Sequence, residues 1–135
     1  MTEDFVSFDL AKKLKEKGYP QEKDWTIAMY DEDENWYSLI TTSYYIEYIF
    51  EDFDDNDFVC PTISQVLKWL REEKKILVVA APAFLYREAR YFWQCGIYKI
   101  SLLPNVIPFH KFIDNQESYE SAILACIEYV LNNLI

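Results

Sequence analysis

Two spacings of apolar residues alternate along this chain, and their order constrains its fold more than any other feature of the sequence. Apolar residues at i, i+3, i+4 and i+7 indicate an amphipathic helix, whereas alternating or β-branched runs indicate strands. Three stretches have the helical spacing, and runs of strand type lie between them. The sequence therefore predicts an α+β fold with an antiparallel sheet and three helices, in the order α-ββ(β)-α-ββ(β)-α, with the helices on one face of the sheet.

Each predicted helix begins at a capping residue. The helices are predicted at residues 8–17, at residues 63–73, and from the cap Ser118 to about Asn133. Thr62 and Gln65 form a capping box, in which each side chain accepts a hydrogen bond from the backbone N–H of the other residue. Gly18 is placed to end the first helix. The buried face of the third helix is predicted to consist of Tyr119, Ala122, Ile123, Cys126, Ile127 and Val130.

The strands are predicted from β-branched and aromatic runs at Trp25–Tyr30, Trp36–Ile40, Tyr44–Phe50, Ile76–Ala81 and Arg90–Ile100. Pro82 indicates a break or an edge position at the end of the fourth run. Gly96 indicates a bulge in the fifth. Pro104 and Pro108 favour irregular structure over Leu102–Phe112.

The length of 135 residues suits one domain over residues 1–135. Residues 11–16 resemble residues 67–72, and predicted strands follow each of the two segments. This similarity leaves a duplicated αββ unit as an open alternative within the α+β fold.

The net charge of −10 comes from one segment, because residues 24–60 hold eleven acids and no Lys or Arg. Such a segment repels phosphate backbones, so no nucleic-acid partner is predicted. Three widely spaced cysteines predict reduced thiols in a cytoplasmic protein. The chain opens without an apolar run of the signal-peptide type. Its longest apolar stretch, Ile76–Tyr86, is too short to span a bilayer, so no membrane partner is predicted.

The residues suited to catalysis or metal binding lack the spacing that known sites need. His110 is the sole histidine, and no nucleophile motif lies near it. The acidic runs that begin at Asp31 and Asp52 resemble EF-hand loops, but both lack the turn glycine and the final bidentate acid. Two glycines are too few for a P-loop or a dinucleotide-binding fingerprint. The sequence predicts no catalytic residue, no cofactor and no metal site, and hence a protein that is not an enzyme.

Aromatic residues make up 18% of the chain, and many lie in the predicted strands. If the helices cover one face of the sheet, the rings on the other face are available to a partner, since Tyr and Trp are enriched at binding surfaces. The predicted partner-binding residues are Trp36, Tyr37, Tyr45, Tyr48, Tyr91 and Trp93. Cross-strand stabilisation of a half-exposed sheet is the alternative explanation for these rings.

The helical segments also carry a resemblance. The run CPTISQVLKWLRE at residues 60–72, the opening MTEDFVS with AKKLKEKG at residues 11–18, and SYESA at residues 118–122 resemble a family of small uncharacterised proteins of gut-bacterial genomes and their phages or mobile elements. In that family the last helix more often begins Ser-Tyr-Glu-Glu-Ala, and here Ser121 replaces the second Glu. The resemblance implies a mobile-element context and no mechanism.

The leading hypothesis is therefore a non-enzymatic protein-interaction domain that uses the aromatic sheet face. Its protein partner is not identified by the sequence, and a homodimer is left open. One alternative is an acidic decoy that imitates DNA and occupies a host DNA-binding protein. Another is a small carboxylate enzyme that uses Glu47 with Asp52 or Asp54.

Overall fold

The computed structural model describes residues 5–21, 28–38, 56–100 and 109–135. In these residues the elements follow the order α1 (Phe8–Glu16), β1 (Ala28–Tyr30), β2 (Trp36–Ser38), β3 (Phe58–Val59), α2 (Ile63–Glu73), β4 (Ile76–Leu85), β5 (Arg90–Lys99), β6 (Phe109–Gln116) and α3 (Tyr119–Asn133). The predicted α+β class and the alternation of helices with antiparallel strands are confirmed. The described strands form two three-stranded sheets, β2-β1-β3 and β4-β5-β6.

The chain divides into two compact units, Met1–Gln65 (unit 1) and Val66–Ile135 (unit 2). This division does not test the single domain predicted for residues 1–135, which stays a prediction. The first strand is central in the sheet of unit 1, whereas the second is central in the sheet of unit 2. These different strand orders give no support to a duplicated αββ unit.

In unit 1, α1 has the boundaries that the sequence predicted to within one residue. The Ser7 hydroxyl accepts a hydrogen bond from the backbone N–H of Leu10 at 3.3 Å, which satisfies one of the unpaired donors of the first turn. Leu10, Ala11 and Leu14 are buried on one face. Gly18 follows the helix with φ +93°, a conformation that residues with a Cβ rarely adopt.

The unit 1 sheet places β1 between two short strands, with Met29 paired to Tyr37 on one side and to Val59 on the other. The Asp31 carboxylate organises the β1–β2 turn, because it accepts hydrogen bonds from the backbone N–H groups of Asp33 and Asn35, each at 2.9 Å. The predicted hairpin is confirmed over its described residues. The predicted strand Tyr44–Phe50 lies outside the described residues.

The capping box before α2 is present as predicted. The Thr62 backbone N–H donates to the Gln65 side-chain oxygen at 2.9 Å, and the Gln65 backbone N–H donates to the Thr62 hydroxyl at 3.2 Å. The helix ends at Glu73, and Lys75 then turns the chain into β4 with φ +58°.

The unit 2 sheet is built on a long hairpin, since β4 and β5 pair without interruption from Ile76↔Lys99 to Leu85↔Arg90. The turn between them, residues 86–89, includes Ala89 at φ +48°. Pro82 therefore does not break the strand, and the alternative that the sequence left open, an edge position, is the correct one in the described sheet.

Two other predictions for this sheet are wrong. Phe109–Gln116 forms β6, so the region predicted to be irregular ends earlier than its prolines indicated. Gly96 is not the bulge, because it stays paired with Val79 and with Phe112. The shifts in the β5–β6 register lie to either side of it, between Trp93 and Cys95 and between Ile97 and Tyr98.

The helix α3 packs against all three strands of the unit 2 sheet. Its capping box is formed by two serines, with the Ser118 hydroxyl accepting from the Ser121 N–H and the Ser121 hydroxyl accepting from the Ser118 N–H, both at 3.1 Å. Ser121 thus does the hydrogen bonding expected of Glu at that position. The predicted buried face is confirmed except at Tyr119, which is 43% exposed because it lies in the first turn, and Leu131 joins that face.

Candidate interaction surface

The two faces of the β4–β5 hairpin differ in what they contact. Residues directly opposite each other in an antiparallel pair point to the same face, and successive residues alternate. Cys95 and Ile97 of β5 are fully buried on the face that carries α3. Five β4 residues therefore lie on the second face: Leu77, Val79, Ala81, Ala83 and Leu85.

This second face is apolar along the whole length of β4, whereas a sheet face in water normally carries polar residues at alternate positions. Val79 is 45% exposed, and the other four β4 residues of this face are half-buried. Val79 is therefore the most exposed apolar side chain of this row.

Three aromatic rings cluster at the end of the hairpin, which we call the hairpin tip (residues 84–91). The Phe84 ring contacts the Tyr86 ring at 5.0 Å and the Tyr91 ring at 4.9 Å between centroids. Tyr86 is 86% exposed and Tyr91 is 74% exposed. The rings therefore support each other while most of their surface faces solvent.

Charged side chains share the hairpin tip with these rings. Arg87, Glu88 and Arg90 are all exposed, and Arg90 forms an ion pair with Glu88. Arginine and aromatic rings in one place are the composition that protein-binding hot spots favour.

The structure distributes the six predicted partner-binding residues unevenly. Tyr91 belongs to the exposed hairpin tip. Trp93 is half-buried, and its ring meets the Tyr119 ring at 5.6 Å at the start of α3. Trp93 therefore lies on the face covered by α3, at the margin of that helix, rather than on the opposite face as the hypothesis of an aromatic open face required.

The other four belong to residues 1–65. Trp36 is 39% exposed and meets Phe5 edge to face at 5.4 Å, so part of its ring is already packed. Tyr37 is paired in β2. Tyr45 and Tyr48 lie outside the described residues.

Sequence reasoning missed Phe84 and Tyr86, because it ended the strand before Pro82. The signal that could have found them is the apolar run itself, which continues past the proline to Leu85. Pro82 is compatible with this strand because a proline at a sheet edge removes no hydrogen bond from the ladder.

A small polar network lies inside unit 1 around the Val6 carbonyl. That oxygen accepts hydrogen bonds from the Tyr30 hydroxyl at 3.1 Å and from the Cys60 thiol at 3.3 Å. Burial raises the pKa of Cys60 to about 11, although hydrogen bonds with Trp36, Tyr30 and Val6 oppose the shift. Burial and the neighbouring Cys60 together raise the pKa of Tyr30 to about 12. Both groups are neutral at pH 7, which makes them structural rather than nucleophilic.

The remaining thiols, Cys95 and Cys126, are both free and fully buried between β5 and α3. Their mutual hydrogen bond, together with burial, raises the pKa of Cys126 well above its ordinary value. A buried, protonated thiol is a poor nucleophile and a poor metal ligand.

The carboxylates considered for catalysis, Glu47, Asp52 and Asp54, lie outside the described residues. His110 lies in β6. Among the described residues, no group of three or more His, Cys, Asp or Glu side chains is placed to hold a metal ion. Asp31 uses its carboxylate oxygens within its own turn, including a contact at 2.9 Å with the Asn35 side-chain amide.

The described helices are all too short or too polar to cross a bilayer. A scan against protein-family models and searches among curated proteins and solved structures return no match. The resemblance of residues 60–72 to the gut-bacterial family therefore stays a prediction.

Proposed function

We propose that this chain is a non-enzymatic protein-interaction domain that works in the cytoplasm and docks through the hairpin tip of unit 2. The observation that carries the proposal is the aromatic cluster of Phe84, Tyr86 and Tyr91, which is exposed although its rings contact one another.

The energetics of the hairpin tip favour binding. When a partner covers large rings that were exposed to water, the complex is stabilised by roughly 25 cal/mol per Å² of apolar surface buried. Part of this stabilisation is normally offset by the conformational entropy that side chains lose when they become ordered on binding. Here that loss is reduced, because Phe84 already holds Tyr86 and Tyr91 in place.

The charges of the hairpin tip indicate the chemistry of the partner. Arg87 is exposed next to the rings, and guanidinium groups prefer carboxylate acceptors. The partner surface is therefore expected to combine apolar groups with carboxylates.

Site-specific photo-cross-linking tests this proposal. A benzophenone amino acid replaces Tyr86 in one variant and Glu128, an exposed residue of α3, in a matched control. In the cells that produce the protein, we expect discrete protein adducts from position 86 and not from position 128. A double variant, Tyr91→Ser with Arg87→Ser, is expected to lower the adduct yield about tenfold or more, as loss of hot-spot residues does. Equal yields from both positions, or no adduct at all, would overturn the proposal.

A further inference from the structure

The outer edge of β4 offers a second surface, separate from the hairpin tip, and the inference drawn from it goes beyond the proposed function. In the described part of the chain β4 pairs with β5 and with no other strand. Its ten residues, ILVVAAPAFL, include no charged or polar side chain. An edge strand of this length and composition presents a row of backbone donors and acceptors to any further strand.

The register shows which backbone groups face outward. The Ile100 N–H donates to the Lys75 carbonyl at 2.7 Å, so Lys75 and Ile100 are a hydrogen-bonded pair directly before Ile76↔Lys99. Hydrogen-bonded and non-bonded pairs alternate along an antiparallel ladder. Odd-numbered residues of β4 therefore bond to β5. The outward-facing residues are the even-numbered ones: Ile76, Val78, Ala80, Pro82 and Phe84.

Pro82 occupies one of these outward positions, which explains how the strand runs through it. Proline has no backbone N–H, and at an odd-numbered position it would remove a bond to β5. At position 82 proline removes no hydrogen bond between β4 and β5, and the donor that is missing is one of the outer edge. The usable outer donors that precede it belong to Ile76, Val78 and Ala80.

The other described edges are protected in the ways that natural sheets use against edge pairing. The strand β6 contains Lys111 and Asp114, and its register with β5 shifts twice. In unit 1 the edge strand β3 is two residues long. By contrast, β4 is long, uncharged and regularly paired, and Pro82 is its one protective feature.

We propose that β4 pairs antiparallel with β4 of a second copy of this chain, around a two-fold axis at Val78. In this register Val78 faces Val78 of the other copy, and Ile76 faces Ala80 in both directions. All three pairs are outward-facing, so each can form two backbone hydrogen bonds. Moving the axis two residues toward the C-terminus places Pro82 opposite an outward-facing residue and loses donors, so Pro82 disfavours registers shifted in that direction.

The edge is complementary to itself, because the outward-facing residues Ile76, Val78 and Ala80 pair with one another about Val78, and charge limits where a second copy can approach. Two chains of net charge −10 repel each other, and β4 is an uncharged stretch along which they can approach. Because the contact is isologous and β6 is protected at the far edge, the assembly closes as a dimer and does not extend into a filament.

The size of the contact sets its strength. Five residues of paired edge span about 17 Å, which by itself falls short of the roughly 800 Å² per partner in a standard interface. The expected dissociation constant is therefore in the micromolar range, about 1–100 μM, as for weak and transient complexes.

Sedimentation velocity of the full chain from about 1 to 300 μM tests the dimer. Ala80→Pro removes an outward donor on each copy without touching the ladder to β5, and we expect it to weaken dimerisation at least tenfold. Val79→Lys places a charge beside the axis and should also weaken it, whereas Ala83→Lys, on the same face but beyond the paired region, should not. Circular dichroism verifies that each variant folds. If Ala80→Pro does not fold, Val79→Lys still tests the dimer.

The register has its own test. Across the axis the two Val78 Cα atoms should lie about 5.5 Å apart, within the range of a disulfide. Val78→Cys should therefore cross-link two copies under copper-phenanthroline oxidation. Ala80→Cys should not, because its two Cα atoms would lie about 14 Å apart at the rise of an antiparallel strand.

A wild-type protein that is monomeric at every concentration would overturn this inference, and so would dimerisation unaffected by both Ala80→Pro and Val79→Lys. If the hairpin tip nevertheless cross-links to a different protein, the proposed function stands without the second copy. If neither dimer nor adduct forms, both proposals fail.

Discussion

Alkaline pH should destabilise unit 1 through Cys60 in a way that can be calculated. The ordinary pKa of a thiol is 9.0, and burial raises that of Cys60 to about 11 in the folded protein. The thiol is 1% exposed, so solvent screening is small. Below pH 9 the thiol is neutral in both the folded and the unfolded chain. As the pH rises from 9 to 11, the unfolded chain ionises first, and the stability present below pH 9 is progressively lost.

The magnitude follows from the two pKa values. Each pH unit between the two pKa values corresponds to 1.36 kcal/mol, so ionisation of the thiol removes about 2.3 kcal/mol of unfolding free energy at pH 11 and about 2.7 kcal/mol well above it. Tyr30 adds to this loss between its ordinary pKa of 10.0 and about 12, but less per unit because its side chain is partly exposed.

Urea unfolding at pH 8 and pH 11, under reducing conditions, measures this loss. Cys60→Ala is the control, because alanine cannot ionise at this position while the rest of the chain is unchanged. We expect the wild-type protein to lose about 2–3 kcal/mol more than Cys60→Ala between the two pH values. Equal losses would show that the thiol is not buried in a neutral form and would refute the reasoning.

Three further substitutions test the local interactions that shape the fold, each by urea or thermal unfolding. Thr62→Ala should cost about 1 kcal/mol because it removes the cap of α2, whereas Ser64→Ala in the exposed first turn should change stability by less than about half of that; equal effects would contradict the capping role. Leu14→Ala should cost about 2–5 kcal/mol because this fully buried side chain leaves a cavity, and a cost below about 1 kcal/mol would show that the site is not packed. Gly18→Ala should cost about 1 kcal/mol through its positive φ, although no atom lies within 4 Å of an added Cβ, and Gly18→Asn should cost less.

The helices were the part of the fold that the sequence predicted well, and the reason is local. A cap such as Thr62 with Gln65 acts within four residues, and an apolar stripe fixes which face is buried. Both signals are contained in the segment itself. Tyr119 was wrong as a predicted core residue: it lies in the first turn of α3, where its ring meets Trp93 but stays 43% exposed.

Strand ends and sheet partners were predicted less well, because they depend on residues far apart in sequence. Pro82 lacks a backbone N–H. Whether the missing donor would have faced β5 or the open edge depends on the pairing with β5, and no local sequence pattern shows that pairing. The strand β6 was missed for a similar reason, since its pairing with β5 is not visible in the local sequence.

The candidate site was likewise predicted in part, because only some of its signals are local. The sequence identified Tyr91 as a residue available to a partner, but it could not assemble the hairpin tip, which needs Phe84 and Tyr86 across the turn. It also listed Trp93 among the rings available to a partner, whereas Trp93 shares the face of Cys95 and meets Tyr119 at the start of α3.

The scarcity of glycine has a consequence for engineering. With two glycines in the chain, Glu34, Lys75 and Ala89 adopt positive φ values of 67°, 58° and 48° at their turns. A side chain in that conformation is less stable than glycine or asparagine, by roughly 1 kcal/mol for a non-polar residue. Glycine or asparagine at Glu34 or Lys75 should therefore stabilise the turn without touching the hairpin tip, whereas the same change at Ala89 would alter the surface proposed for docking.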